Sequence, residues 1–379
     1  MTDAHWQQRL DGVVATAAAH AGYGETHGVL APQTLEALKS AGLLRLWRPQ
    51  SLGGSEISPW EYVQLAEVIA TRDTAAAWLM MGAANTTFDL RLASESFVEE
   101  VYGDDQDAVV CETFNRPLQA VAVDGGYRVN GGTPFASGCK HADWLGHTAL
   151  EGERLLLMFH PAGVLRIEED WDTLGLRGTA SNTICAEDVF VPEHRVIDFS
   201  ASPALNDYFQ GTLYRLPEAI LTATFPPVAL GALAAALGAT DEIAANKVPF
   251  AAKSTLKHRH LAQMHYGKAL ATSRAVRALL RQELSSAWDR AEGGIAFSRQ
   301  HKADLFLACA YALQGCADAV GELARGVGTS AIYRRSPIER AFRDVQVIRH
   351  HAFGAEGRFA TVAQAYWGLE VDFPLLEMD

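Results

Sequence analysis

Between Ala219 and Thr240 the chain carries no charged side chain. A helix that is apolar all round must be buried on every side, either in lipid or in the middle of a large bundle. Pro226 and Pro227 interrupt the run, Ala and Gly dilute it, and neither Lys nor Arg anchors its ends. The expected solution is therefore a buried helix of a helical bundle, with no membrane as partner. A chain of 379 residues has interior enough for this without a disulfide or metal staple. Its composition, 49% apolar and 20% charged, is that of a globular protein of two or three compact units.

Charge narrows the partners. The formal net charge is −13, and Lys and Arg never run more than two in a row. Nucleic acid is excluded as the main partner, because phosphate binding needs a basic stripe. Five cysteines (Cys111, Cys139, Cys185, Cys309 and Cys316) form no C-x-x-C pair, which suits reduced thiols in the cytoplasm. Met1–His5 has neither a basic nor an apolar leader region, so no signal peptide is expected. The densest histidine cluster, Lys257-His258-Arg259-His260 with His265, lacks carboxylate or thiolate neighbours and reads as a solvated helix face; no metal site is expected.

The pattern changes twice along the chain. The first third reads as helices: one from Trp6 to about His20, one opened by Pro32, and one opened by Ser58-Pro59-Trp60-Glu61 and running to Met81. From about residue 113 to 200 the texture is β. A hairpin turns at Asp124-Gly-Gly126, strands cover 155–159, 164–167 and 184–191, and Pro192 ends the last. Beyond 212 helices return, with long ones over 256–291 and 297–323 and a last one from Ser336-Pro337-Ile338-Glu339, a second capping pattern. Three units follow: a helical domain over 1–112, a β domain over 113–205 and a helical bundle over 206–379.

P-loop, zincin, nucleophile-elbow and dinucleotide-fold signatures are all absent. Three stretches carry information instead: Tyr127-Arg-Val-Asn-Gly-Gly-Thr-Pro-Phe-Ala-Ser-Gly-Cys-Lys-His-Ala-Asp-Trp144, Asp172-Thr-Leu-Gly-Leu-Arg-Gly-Thr-Ala-Ser-Asn182, and Glu339-Arg-Ala-Phe-Arg-Asp-Val-Gln-Val-Ile-Arg-His-His351. With Pro49-Gln-Ser-Leu-Gly-Gly54, and in this order, they resemble the acyl-CoA dehydrogenase superfamily. The resemblance implies an α+β fold: an N-terminal helical domain, a small central β-barrel or sheet, and a C-terminal four-helix bundle. Within the superfamily, dehydrogenases place a glutamate base a fixed distance after an Arg-Asp pair. Counted from Arg343-Asp344 that position is Ala352, and His351 precedes it. A histidine there is similar to the two-component flavin-dependent monooxygenases of this fold, as is Phe135-Ala-Ser-Gly138.

That resemblance implies a hydroxylase or N-oxidising enzyme that takes reduced flavin, FMN or FAD, from a separate NAD(P)H-flavin reductase. It would add O2 at the flavin C4a carbon and oxidise a small aromatic, natural-product or amino-sugar substrate. The hydroperoxide must be kept dry. Ser137 matches the hydroxyl near flavin N5, and His351, with His350 as the neighbouring register, matches the proton-handling imidazole, apt because its ordinary pKa is near neutrality. Thr113, Phe135, Gly138 and Trp171 would lie along the ring; Arg177, Thr179 and Ser181 at the pocket mouth or flavin tail. Thr329 and Ser330 would reach a neighbour's flavin in a homotetramer. The phosphate position departs from the dehydrogenase pattern, with Lys253 as the available cation. Two other readings stay open: a thioester dehydrogenase or oxidase using Glu356, and a flavin-free oligomeric scaffold.

Overall fold

The structure, a computed structural model, describes residues 4–103, 105, 107–201 and 204–378. The reading of Met1–His5 as leader-free falls partly on residues 1–3, outside those described. Five helices come first: α1 (Ala4–His27), α2 (Pro32–Ser40), α3 (Pro59–Ala70), α4 (Thr74–Asp89) and α5 (Glu95–Tyr102). Ser58 Oγ accepts from Glu61 N at 3.3 Å, as the sequence pattern predicts. The Glu61 carboxylate does not close the box; it accepts from Trp6 Nε1 at 3.1 Å and ties α1 to α3. The single helix expected from Ser58 to Met81 is two. Asp73 Oδ1 accepts from Ala75 N at 3.0 Å and caps a new helix, a local signal that the continuous apolar periodicity concealed.

Seven strands form one mixed sheet in the order β5-β6-β2-β1-β3-β4-β7. They are β1 (Val110–Val123), β2 (Gly126–Ala136), β3 (Trp144–Glu151), β4 (Arg154–Pro161), β5 (Arg166–Ile167), β6 (Asn182–Pro192) and β7 (Val196–Asp198). The β1–β2 hairpin turns on Gly125 at φ +75°, as expected. The strand expected over 164–167 is reduced to Arg166–Ile167, because Ala162–Val164 coil into a 3-10 turn. Where β2 pairs β6 the register slips between Thr133 and Ala136, and this irregularity carries Phe135 at φ +62°.

The remaining helices are α6 (Pro226–Asn246), α7 (His260–Glu292), α8 (Arg299–Val327), α9 (Pro337–Ile348) and α10 (Arg358–Tyr366). The uncharged run becomes a 3-10 segment over Glu218–Thr224 followed by α6. Two stretches, Glu218–Asn246 and Arg299–Ala331, are long and apolar enough to span a bilayer, but their apolar windows are 89% and 72% buried inside the protein. Helix α9 begins at Pro337 as expected, yet Ser336 Oγ caps nothing, and Glu339 pairs with Arg343 instead. The full capping box is at Ser298, where His301 takes the role usually played by Glu. His265 is not on a solvated face: it is buried and hydrogen-bonded to Glu322, because α8 packs across that side of α7.

Asp344, of the Arg343-Asp344 pair, joins three of these parts. Buried on α9, it accepts from Thr74 Oγ1 on α4 at 2.6 Å and from Leu176 N at 2.7 Å. Leu176 itself sits at φ +51°. The carboxylate thus pins the strained start of the 176–181 loop against the helices, which fixes where that loop's hydroxyls stand.

Candidate active site

One wall of the site is a line of hydroxyls. Thr179 Oγ1 donates to Leu176 O at 2.9 Å, Ser181 Oγ lies 2.7 Å from Thr179 Oγ1, and Ser137 Oγ lies 2.8 Å from Ser181 Oγ. Each hydroxyl has one hydrogen. With that of Thr179 spent on a carbonyl, Ser181 donates to Thr179 and Ser137 donates to Ser181. Trp78 Nε1 then donates to Ser137 Oγ at 3.0 Å. Ser137 is left with a lone pair and no hydrogen to offer. Next to it, Gly138 stands at φ +78°, where a side chain is strained, and an added Cβ would crowd Cys111 Sγ at 2.7 Å and Leu79 Cδ1 at 2.8 Å.

The opposite wall is aromatic. His351 stacks on Phe225 at 4.1 Å between centroids and meets the edges of Trp78 at 5.6 Å and Phe353 at 5.3 Å. Its ring is half-buried, and the surrounding carbon pushes the imidazole pKa down to about 4, so it is neutral near pH 7. The near-neutral titration expected of it gives way to this desolvation. Phe353 N approaches His351 Nδ1 at 3.4 Å, which makes Nδ1 the acceptor and leaves the hydrogen on Nε2. His351 lies in the turn just after α9 rather than on a helix, and His350 beside it is exposed.

The other sequence-predicted residues divide into two places. Thr113 is buried on β1 and donates to Pro134 O at 3.1 Å, at the base of the bulge that carries Phe135. Phe135 is 55% exposed despite its size and meets Trp171 edge-on at 6.1 Å. Trp171 lies in the loop before Leu176 and donates to Leu176 O at 3.0 Å. An exposed phenyl ring held at positive φ beside the hydroxyl line is a surface that suits a flat apolar ring. Arg177 spends its guanidinium on Asp172, Thr173 O and Glu25 O, clamping the loop to α1. Lys253, Thr329 and Ser330 lie apart from Ser137, in the loops after α6 and α8; Lys253 and Thr329 are exposed. There Lys247 Nζ donates to Val327 O at 2.7 Å and lies 3.5 Å from Thr329 Oγ1.

Three contributors escape sequence reasoning. Trp78 touches both walls, but in an Ala- and Met-rich helix it looks like any core aromatic. Phe225 was marked only by the Pro226-Pro227 that follows it, and Lys247 by nothing. Glu356, the carboxylate nearest the dehydrogenase register, is exposed on the turn before α10. A cleft of about 730 Å³ opens elsewhere, between α1, α3, α6 and α9, with Glu25, Arg340 and Asp344 in its lining. Asp344, which holds Leu176 N, is common to this cleft and to the 176–181 loop.

Comparison with known proteins finds likenesses along most of the chain. The family described as "Acyl-CoA dehydrogenase, C-terminal domain" matches residues 223–356. An indole-3-acetate monooxygenase of Pseudomonas putida is 29% identical over 340 residues, 88% of this chain and 86% of its own. The oxygenase subunit HsaA of a flavin-dependent monooxygenase from Rhodococcus jostii is 34% identical over 199 residues, 51% of this chain and 52% of its own. Among solved structures, XiaF from Streptomyces sp., in complex with FADH2 and glycerol, superimposes with a TM-score of 0.92 at 24% identity, over 98% of this chain and 97% of that one.

Proposed function

From these likenesses we propose that the chain is an oxygenase component of the two-component flavin-dependent monooxygenase type within the acyl-CoA dehydrogenase superfamily, acting on a small aromatic substrate. Reduced flavin, FMN or FAD, arrives from a separate NAD(P)H-dependent reductase and, when bound, supplies the activation of O2. The observation that carries the reading is the contact chain from Ser137 through Trp78 to His351. A thioester dehydrogenase needs a carboxylate where His351 stands, and Glu356 is too exposed to serve.

The hydroxyl line fits a reduced flavin in particular. Reduced flavin carries a hydrogen on N5, and Ser137, whose own hydrogen is committed to Ser181, offers an acceptor to it. His351 supplies a neutral Nε2–H that can hydrogen-bond an oxygen without releasing a proton into the site. Its aromatic surroundings, Trp78, Phe225 and Phe353, exclude water and leave apolar faces for an aromatic substrate. Phe135 and Trp171 serve as the ring platform, with Thr113 and Gly138 shaping its base, while Thr179 and Ser181 set the polarity of Ser137. Arg177 acts by holding their loop.

Lys253, with Lys247, would supply charge for a flavin phosphate, and Thr329 and Ser330 would reach a neighbour's flavin in a homotetramer. Exposed Val248, Phe250, Ile332 and Tyr333 flank them and supply the apolar surface such an interface buries. The cytoplasm is the compartment, in keeping with five unbridged cysteines. The test is a coupled assay with a flavin reductase, NADH and ¹⁸O2 over a panel of aromatic substrates. One labelled oxygen atom in the product supports the assignment; flavin reduction by acyl-CoA thioesters in the absence of NADH overturns it.

A further inference from the structure

The cleft between α1, α3, α6 and α9 has no part in the oxygenase reading. At about 730 Å³ it lies within the roughly 300–1,000 Å³ of small-molecule sites. Its walls are small residues: Ala18, Ala21 and Gly22 line it from α1, and Ala235, Gly238 and Ala239 from α6. At Gly22 and Gly238 an added Cβ would meet nothing within 4 Å, so the space between these helices is open. The result is a slim slot with apolar walls.

Its charges are unevenly matched. Five arginines and three carboxylates line it, in a chain whose formal net charge is −13. Two of the carboxylates are already engaged. Glu25 pairs with Arg343 at 2.7 Å, and Asp344 stands 3.7 Å from Arg340 while accepting from Thr74 Oγ1 and Leu176 N. Arg340 is held from its other side by Asp73 at 3.1 Å and Ala21 O at 2.8 Å. That leaves Glu242, exposed on α6, against Arg72, Arg334 and Arg335. Arg335 lies over the Tyr333 ring at 4.4 Å. Arg72 and Arg334 are exposed, and among the described residues neither has a partner.

Ser336 points the same way. It lines the cleft at the start of α9 and is 8% exposed, yet among the described residues its Oγ has no hydrogen-bond partner. A serine before a helix ordinarily accepts from a first-turn amide. Ser336 caps nothing, so its hydroxyl hydrogen and the positive end of α9 both remain for an anion. A buried hydroxyl left unpaired costs stability, which an acceptor seated in the cleft would restore.

We propose that this cleft binds a phosphate-bearing organic molecule, with the phosphate held by Arg72, Arg334 and Ser336 and a slim apolar body lying along the alanine and glycine walls. Guanidinium forks match phosphate oxygens, and the ion pairs of Arg340 and Arg343 set the floor before a ligand arrives. A bare phosphate would leave most of the slot empty. None of the residues around His351 lines the cleft, and the proposal stands or falls apart from the oxygenase reading.

Calorimetric titration of the intact protein with hexyl phosphate, inorganic phosphate and hexanol tests it. Hexyl phosphate binds at least about tenfold more tightly than either part alone. Arg72→Ala combined with Arg334→Ala removes about tenfold of that affinity, and Ser336→Ala about threefold. Gly238→Phe leaves every arginine in place and costs about tenfold by filling the slot, its side chain entering open space. Lys253→Ala, at the other candidate phosphate position, leaves the affinity unchanged. No saturable binding of hexyl phosphate, equal affinity for inorganic phosphate, or unchanged affinity in the folded double-arginine or Gly238→Phe protein overturns the assignment. Loss of binding in Lys253→Ala alone overturns it as well, because the probe then sits at the flavin phosphate position.

Discussion

Two of the regions that hold neutral imidazoles make a contrast, and only one of them looks built for chemistry. In the sheet, His147 and His160 stack at 4.9 Å, join through their Nε2 atoms at 2.8 Å, and have His147 Nδ1 against Thr148 O at 3.1 Å. Burial pushes their pKa values down to about 4 and about 3. His351 is depressed just as far, to about 4. The pKa does not distinguish the regions; their surroundings do. The sheet pair spends both Nε2 atoms on each other and His147 Nδ1 on a carbonyl, and both rings are fully buried between strands with His160 Nδ1 left over. His351 has one nitrogen touched by a backbone N–H and the other free, inside an aromatic sleeve that reaches Ser137 through Trp78. A perturbed titration marks burial, while a perturbed group whose uncommitted atom stands among other candidate functional residues marks a site.

The contrast breaks most sharply at His351. His351→Ala lowers product formed per flavin oxidised by at least about a hundredfold, while the protein stays folded and flavin-binding; the measurement is product yield against peroxide released. Trp78→Phe keeps the ring contacts and deletes only the N–H to Ser137, so its effect is smaller, about tenfold on the same ratio. In the sheet the expectation inverts. His160→Leu leaves His147 Nε2 buried and unpaired and costs about 1–3 kcal/mol of stability in denaturant melts, with the yield per flavin unchanged.

The pH dependence sharpens the comparison further. All three imidazoles bind protons more weakly folded than unfolded. The stability tied to their neutral burial is therefore present above about pH 6.5 and is lost as pH falls toward about 4. Glu112 has the opposite sign, raised to about 8, so its contribution is present below about pH 4.5 and fades as pH rises through 8. Thermal melts between pH 6 and 9 decline in the wild type and flatten in Glu112→Gln. Glu356→Gln, on an exposed turn, changes turnover by less than about twofold.

What the sequence disclosed follows the same division. Helix-strand-helix texture, the buried uncharged helix and the β1–β2 turn were legible because each rests on local periodicity or one glycine. Ser137, Phe135 and His351 entered as candidates through short motifs in a familiar order. The break at Asp73 was hidden because the apolar stripe runs through it. Trp78 and Phe225 were hidden for a deeper reason. Their importance lies in what faces them from 59 to 273 residues away, and an aromatic in an apolar segment has the same local appearance whether it packs or binds.

The most direct test of the whole account is stopped-flow absorbance of the protein loaded anaerobically with reduced FMN or FAD and mixed with oxygenated buffer, wild type beside His351→Ala and His160→Leu. The account predicts an oxygen-dependent phase that precedes oxidised flavin and persists in the wild type and in His160→Leu, and that collapses in His351→Ala. Reoxidation in one step at the rate of free flavin, or an equal collapse in both variants, would contradict it.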